Sequence, residues 1–250
     1  MQDTRNKIYF ASDFHLGVPS YEKSREREAL IVRWLDEIKV DAKELFLVGD
    51  LFDFWFEYKH VVPKGYIRFL GKLADLKDSG VKIHIFIGNH DMWMFDYLEK
   101  ELDLKIYRDT AEFEFSEKKF LIGHGDGLGP GDHGYKFIKK VFANKLCQWM
   151  FARLHPNFGI GLANFWSKKS RDSQDHEAEK YLGDDDEWLF QYCLEEQKKD
   201  SRDFYVFGHR HLPLDKDLPG NAKYINLGEW IYHKTYGVFD GDKFEVKKYK

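Results

Sequence analysis

The sequence predicts an α/β fold organised on a parallel sheet, and three observations carry that prediction. Short runs rich in β-branched and aromatic residues, Lys7 to Ser12, Glu44 to Val48 and Val81 to Ile87, each end in a polar cluster. Between them, Glu22 to Ile38 and Tyr66 to Leu76 carry apolar residues at helical spacing. Strand, helix and strand repeated in this order imply parallel strands joined by right-handed crossovers.

The first run delivers Asp13 and His15 to a loop at a strand's carboxyl end, the usual ligand edge of an open α/β sheet. In the helix that follows, Leu30, Ile31, Trp34, Leu35 and Ile38 form the stripe that packs on the sheet. The second strand ends in Gly49-Asp50-Leu51-Phe52-Asp53. The second helix stops at Ser79-Gly80, and the third strand runs into Gly88-Asn89-His90-Asp91. A short helix is expected near Met92 to Leu98. Glu112 to Ser116 then alternates polar and apolar, and Lys119 to Ile122 returns beside it as a hairpin partner, ending on Gly123-His124-Gly125-Asp126.

Asp132 to about Leu194 is mostly helical in pattern and dense in aromatics, among them Tyr135, Phe137, Phe142, Trp149, Phe151, Phe158, Phe165 and Trp166. It reads as a helical cap, 132–202, inserted into a core made of 1–131 and 203–250. Asp203 to Phe207 rejoins the sheet and delivers Gly208-His209-Arg210-His211. Strands around Lys223 to Leu227, Thr235 to Phe239 and Phe244 to Tyr249 complete the chain.

With 43% apolar and 33% charged residues, the 250-residue chain is neither disordered nor fibrous. Cys147 and Cys193 stand far apart without Cys-x-x-Cys spacing, which argues against a disulfide framework or zinc ribbon and for a reducing, cytoplasmic compartment. No apolar signal core opens the sequence, and no run approaches the ~20 apolar residues of a membrane span. The net charge of −4 hides a local asymmetry. Asp132 to Arg171 holds eight Lys or Arg and one Asp, whereas Asp172 to Glu187 holds eight acidic residues and one Lys.

One His-x-His pattern says little in a chain with 11 histidines. Its weight comes from four other segments that present hard or borderline ligands in the same strand-then-loop context. A dinuclear site needs a carboxylate able to bridge both ions, with imidazole, amide oxygen or further carboxylate filling the other positions. Asp50 is the expected bridge. One ion would take Asp13, His15, Asp50 and His211, the other Asp50, Asn89, His124 and His209. Such ions lower the pKa of water from ~15.7 towards ~7 and neutralise charge on phosphoryl oxygens, which points to phosphoester or pyrophosphate hydrolysis. His90 is expected to contact a phosphate oxygen or protonate the leaving group, with Asp91 orienting its ring. Asp53 is expected to tether a ligand histidine rather than touch metal.

The ordered set Asp-x-His, Gly-Asp-x-x-Asp, Gly-Asn-His-Asp, Gly-His-Gly-Asp and Gly-His-x-His resembles the calcineurin-like metallophosphoesterase superfamily. That resemblance implies a four-layer α-β-β-α sandwich and favours Mn²⁺ as the metal. The segment Gly123 to Leu128 through Asp132 to Tyr135, a helical cap after it, and Ser167-Lys168-Lys169-Ser170 are similar to the bacterial UDP-2,3-diacylglucosamine pyrophosphohydrolase branch. The likeness implies attack at the nucleotide α-phosphate, giving UMP and 2,3-diacylglucosamine 1-phosphate in lipid A synthesis. It also implies that Asp132 and Tyr135 contact the glucosamine-phosphate end, with Asn89, His90, Ser167, Lys168, Ser170 and Arg171 as further substrate contacts. His90 departs from the branch, whose well-known members carry Arg there.

The cap fits a lipid-linked substrate on physical grounds as well. Acyl chains need an apolar groove and a diphosphate needs cations, and this segment offers both. A wide apolar helical face also suits shallow attachment to the cytoplasmic face of the inner membrane. An alternative keeps the metals and changes the substrate to another nucleotide, a dinucleoside polyphosphate or nucleic acid, since basic residues interleaved with aromatics can stack bases. The mildly acidic chain weighs against a stable nucleic-acid partner. A non-catalytic scaffold would be expected to have lost ligands, and every expected ligand is present.

Overall fold

The computed structural model describes residues 5–131, 133–174, 181 and 183–250. Strands β1 (Lys7–Ala11), β2 (Ala42–Val48), β3 (Lys82–Phe86) and β4 (Lys105–Tyr107) run parallel. With β10 (Thr235–Phe239), antiparallel to β1, and β11 (Phe244–Lys248), antiparallel to β10, they form a six-stranded sheet in the order β11-β10-β1-β2-β3-β4. The second sheet has the order β5-β6-β7-β9-β8, from β5 (Ala111–Phe115), β6 (Lys118–Gly123), β7 (Phe204–Phe207), β8 (Pro213–Leu218) and β9 (Ala222–Leu227). β5 and β6 are the expected hairpin, whereas the three-residue β4 and the six-residue β8 have no counterpart in the sequence pattern.

Side-chain alternation in the strands builds two apolar layers at once. Tyr9, Ala11, Leu45 and Leu47 face helices α1 (Tyr21–Ile38) and α2 (Ile67–Asp78), while Ile8, Phe10, Phe46 and Val48 face the second sheet. Both faces are covered, so β1 and β2 read as near-continuous apolar runs. Between the sheets Phe10 stacks on Phe46 at 5.1 Å, and Phe120 stacks on Phe204 at 4.8 Å. Burying each such ring contributes about 1.5–3 kcal/mol.

The Ser20 hydroxyl accepts the Lys23 amide at 3.3 Å and starts α1. α2 begins after a left-handed Tyr66, and Glu28 from α1 caps it from a distance, its Oε1 accepting the Arg68 and Phe69 amides at 3.0 and 3.1 Å. The short helix expected near Met92 begins instead at Tyr97, as α3 (Tyr97–Leu102). Trp93 is drawn into a bridge with Phe56, and Glu57 Oε2 gathers the amides of Phe95, Asp96 and Tyr97 at 2.7–3.0 Å, which sets the later start.

The segment between β6 and β7 carries α4 (His133–Ala143), α5 (Lys145–Phe151), α6 (Pro156–Gln174) and α7 (Trp188–Lys199). Phe142, Phe151, Ile160 and Ala163 seat the first three on Phe54, Phe56 and Trp93, and the Trp93 indole donates to the Phe142 carbonyl at 2.9 Å. α7 differs from them. It buries Leu189, Phe190 and Cys193 against Tyr205, Phe207 and Tyr224 on the outer face of the second sheet. With α1 and α2 on one side and α7 on the other, the layers are α-β-β-α. β6 and β7 pair directly, so the segment leaves and rejoins neighbouring strands.

Candidate metal centre

The loops after β1, β2, β3, β6 and β7 converge at one edge of the sandwich. Asp13, His15, Asp50, His209 and His211 all have positive φ, between 43° and 68°. Non-glycine residues in that region cost about 1–3 kcal/mol each unless their surroundings impose it. Here the loops impose it on one another: Asp13 and His15 donate their amides to the Gly49 and Asp50 carbonyls at 3.0 and 2.9 Å, and Gly208 donates to the His124 carbonyl at 3.0 Å. Two glycines of the motifs serve close approach. A Cβ on Gly88 would overlap the Asp50 carboxylate, and one on Gly208 would come within 2.5 Å of Asp13 Oδ2.

All seven residues expected as ligands gather here. Asp13, His15 and His211 form one group, Asp50, His124 and His209 a second, and His15, Asp53 and His90 a third that was not expected, each with ligand atoms within 4.8 Å of one another. His211 Nε2 lies 3.2 Å, and His15 Nε2 3.7 Å, from Asp13 Oδ1. Asp50 Oδ2 stands between the groups, 3.3 Å from His124 Nε2 and 3.8 Å from His15 Nε2. Asn89 Oδ1 is 3.2 Å from His124 Nε2. His124 Nδ1 donates to the Val48 carbonyl at 2.9 Å, which turns Nε2 towards Asp50 and Asn89.

The site fits a divalent cation on two counts. Asp13 Oδ1 is buried between the Nε2 atoms of His15 and His211 and makes no hydrogen bond. Charge tells the same story. Burial alone would neutralise Asp13 and Asp50, yet the neighbouring histidines hold both carboxyls below the usual range. In return, burial is outweighed at His15 by Asp13, Asp53 and Asp50, and at His124 by Asp50, so both imidazoles are pushed up to about 10. Burial and the His124 charge push His209 down to about 4. The pocket demands positive charge, which protons supply and metal ions would replace.

His90 donates its amide to Asp50 Oδ1 at 2.8 Å and its Nδ1–H to the Asp53 carbonyl at 2.9 Å. Asp91, expected to orient that ring, does something else. It is fully buried and accepts the Leu51 and Gly88 amides at 2.7 Å each, which ties the loop after β2 to the loop after β3. Burial, with Asp50 nearby, pushes its carboxyl up to about 7. Asp53 Oδ1 lies 3.6 Å from His15 Nδ1, and with His15 and His90 it forms a further group of possible metal donors. Its Oδ2 accepts the hydroxyl of Ser167, which brings α6 to the centre at 2.8 Å. The Tyr135 hydroxyl donates to Asp126 at 2.6 Å, and its ring lies 6.3 Å from that of His209. Asp132 and the side chains of Lys168, Ser170 and Arg171 lie outside the described residues.

Two supports escaped sequence reasoning. Arg27, buried on α1, donates to the carbonyls of Phe14, His15 and Val18 at 2.5–2.7 Å and grips the first ligand loop. Arg210, between the two histidines of the last motif, pairs with Glu187 inside the protein. An arginine between two expected ligands was the available signal for the second, and one arginine among the charges of α1 gave none for the first.

Among the described residues no helix is long and apolar enough to cross a membrane. A UDP-2,3-diacylglucosamine hydrolase of Porphyromonas gingivalis is 40% identical over 251 residues, 95% of each chain. One of Proteus mirabilis is 26% identical over 240 residues, covering 95% of this chain and 96% of its own. Among solved structures, a dimetal phosphatase of Danio rerio aligns with a TM-score of 0.47 at 14% identity, over 99% of this chain and 100% of its own. The sequence pattern of the family described as calcineurin-like phosphoesterase matches residues 6–213. The chain belongs to the calcineurin-like phosphoesterase family, and it is a metal-dependent hydrolase whose donor cluster suits that family's dinuclear divalent-metal chemistry.

Proposed function

We propose that the chain hydrolyses the diphosphate of UDP-2,3-diacylglucosamine, releasing UMP and 2,3-diacylglucosamine 1-phosphate for lipid A synthesis. One observation carries the reading: helices with exposed apolar faces reach into the donor cluster. Tyr135 of α4 and Ser167 of α6 touch its loops. On the same helices and α5, Phe137, Trp149, Phe158 and Phe165 are each more than half exposed. The activity named for the bacterial relatives agrees with it.

Asp13, His15, Asp50 and His211 would hold one Mn²⁺, and Asp50, Asn89, His124 and His209 the other. When bound, these ions lower the pKa of water and neutralise phosphoryl charge. The side chains do the rest. His90, its Nδ1 committed to Asp53, offers Nε2 to a phosphate oxygen or to the leaving group. Asp91 contributes to catalysis by fixing the loops that carry Asp50 and Asn89. Asp132, Tyr135, Ser167, Lys168, Ser170 and Arg171 contact substrate, with the Tyr135 hydroxyl exchanging Asp126 for the sugar phosphate.

The division into a core of 1–131 and 203–250 and an inserted segment of 132–202 is part of this reading, α7 being the piece of the insertion that packs on the sandwich. The cap's apolar faces, with Lys136, Lys140 and Lys145 among them, suit a shallow hold on the cytoplasmic face of the inner membrane.

The test is hydrolysis of UDP-2,3-diacylglucosamine with added Mn²⁺, products resolved by mass, beside UDP-glucosamine without acyl chains. UMP release that depends on acylation is expected. Equal turnover of both would remove the acyl-binding role of the cap, and turnover of simple phosphodiesters alone would overturn the substrate.

A further inference from the structure

Arg210 lies between His209 and His211, with only 3% of its side chain exposed, and Glu187 opposite it is fully buried. Arg210 Nε donates to Glu187 Oε1 at 2.6 Å and Nη2 to Oε2 at 3.1 Å, a two-pronged charge-assisted pair. The guanidinium also stacks over the Trp188 indole, 4.5 Å from its centroid. Glu187 immediately precedes α7, and its carbonyl accepts the Gln191 amide at 3.0 Å. The carboxylate is thus fixed to a helix that the second sheet holds in place.

The turn that this pair grips is strained. The Arg210 amide reaches back to the Gly208 carbonyl at 2.8 Å, closing a three-residue turn around His209 at φ 68°, the rarer and less stable hand of such turns. His211 follows at φ 56°. Before His209 the turn is pinned by the Asn226 amide on the Gly208 carbonyl at 2.5 Å and by the His209 amide on Asp13 Oδ2 at 3.0 Å. After it, the Arg210 side chain anchors the step to His211.

We infer that the Glu187–Arg210 pair is a positioning device for the metal centre, locking the turn so that His209 and His211 address two different cations. The inference rests on the ligand assignment proposed above. Stability alone does not account for the pair, because a buried ion pair is costly to desolvate and well-packed apolar residues often serve a fold as well. Its placement gives it a geometric task. The residue at the centre of a His-x-His turn sets the angle between the two imidazoles, and a rigid fork held at two points fixes that residue better than a flexible cation.

The pair also connects the returning end of the inserted segment to the chemistry. The stretch that ends at Glu187 and the loop that carries two proposed ligands share one buried contact. Displacing one displaces the other.

The neutral double variant Glu187→Gln/Arg210→Met tests this, since either single neutralisation would leave a buried unpaired charge beside the metals. Wild type and variant are stripped of metal, their unfolding is followed by circular dichroism, and Mn²⁺ is titrated back by calorimetry and electron paramagnetic resonance. The metal-free variant is expected to unfold near the wild-type midpoint. Its Mn²⁺ affinity should fall ~10- to 100-fold, the usual effect of losing a support behind a ligand. The spin-coupled signal of paired ions should give way to that of single ions. Wild-type affinity and a wild-type coupled signal in the double variant would overturn the inference. If the double variant does not fold, Arg210→Lys carries the same test: it keeps the charge and loses the fork, and unchanged Mn²⁺ affinity there overturns the inference equally. Failure of the ligand assignment itself would look different, because the wild type would then not bind paired Mn²⁺, or His209→Ala would bind it unchanged.

Discussion

The Nε2 atoms of His15 and His211 lie 3.1 Å apart across 196 positions of sequence. Two imidazole nitrogens at that separation share at most one proton, and both face Asp13 Oδ1, which makes no hydrogen bond. Three donors around one point are stable when a cation occupies it. Chelation should therefore lower the thermal midpoint, and adding back Mn²⁺ at a hundredfold over its dissociation constant should restore about 2.7 kcal/mol per ion. Scanning fluorimetry against Mn²⁺ concentration measures this. A midpoint indifferent to metal would contradict it.

Asp50 touches both ligand groups, so its loss should be felt by both ions. Asp50→Asn keeps the shape and removes the charge. Metal content by mass spectrometry should drop, and hydrolysis should fall to background. Full metal content in this variant would deny Asp50 the bridging place.

His90→Ala separates the chemistry from the ions. The ring's hydrogen-bond partners are the Asp53 carbonyl and the Ser167 hydroxyl. Metal content should persist while turnover falls by ~10²–10⁴, the range for a lost acid or base. Metal loss in parallel with turnover would show that the ring is structural.

Asp91→Ala should act on stability before chemistry. The Leu51 and Gly88 amides would be left buried and unpaired, at about 1–3 kcal/mol each. Urea unfolding of the metal-free protein measures the loss. A variant as stable as wild type would mean that water or a shifted loop takes over the two amides.

The donor cluster was legible in the sequence because each of its residues follows an apolar strand, and strand ends in an α/β sheet meet at one edge. Local pattern was enough to bring Asp13, Asp50, Asn89, His124 and His209 together. It failed where a residue's partner is chosen by tertiary packing. Asp91 follows His90 in sequence, which suggested that it serves that ring, but the loop turns its carboxylate towards Leu51 and Gly88. The helix expected at Met92 was delayed to Tyr97 by Glu57, some forty residues earlier. Arg210 and Glu187 each looked like ordinary charges, one a spacer between histidines and the other the end of an acidic run. No periodicity announces that they meet.

β6 and β7 are hydrogen-bonded neighbours, and the whole segment that carries α4 to α7 runs between them. The two strands run parallel, so its stems lie at opposite ends of the pair: Gly123, where β6 ends, is in register with Phe207, three residues beyond Phe204, where β7 begins. Whatever length or shape of chain is looped out there, the hinge posts do not move. The fold thus fixes the ends of this looped-out part, as of a cassette, independently of what lies between them. A buried tie such as Glu187 to Arg210 is then the fitting by which one particular cassette is keyed to the machinery it serves.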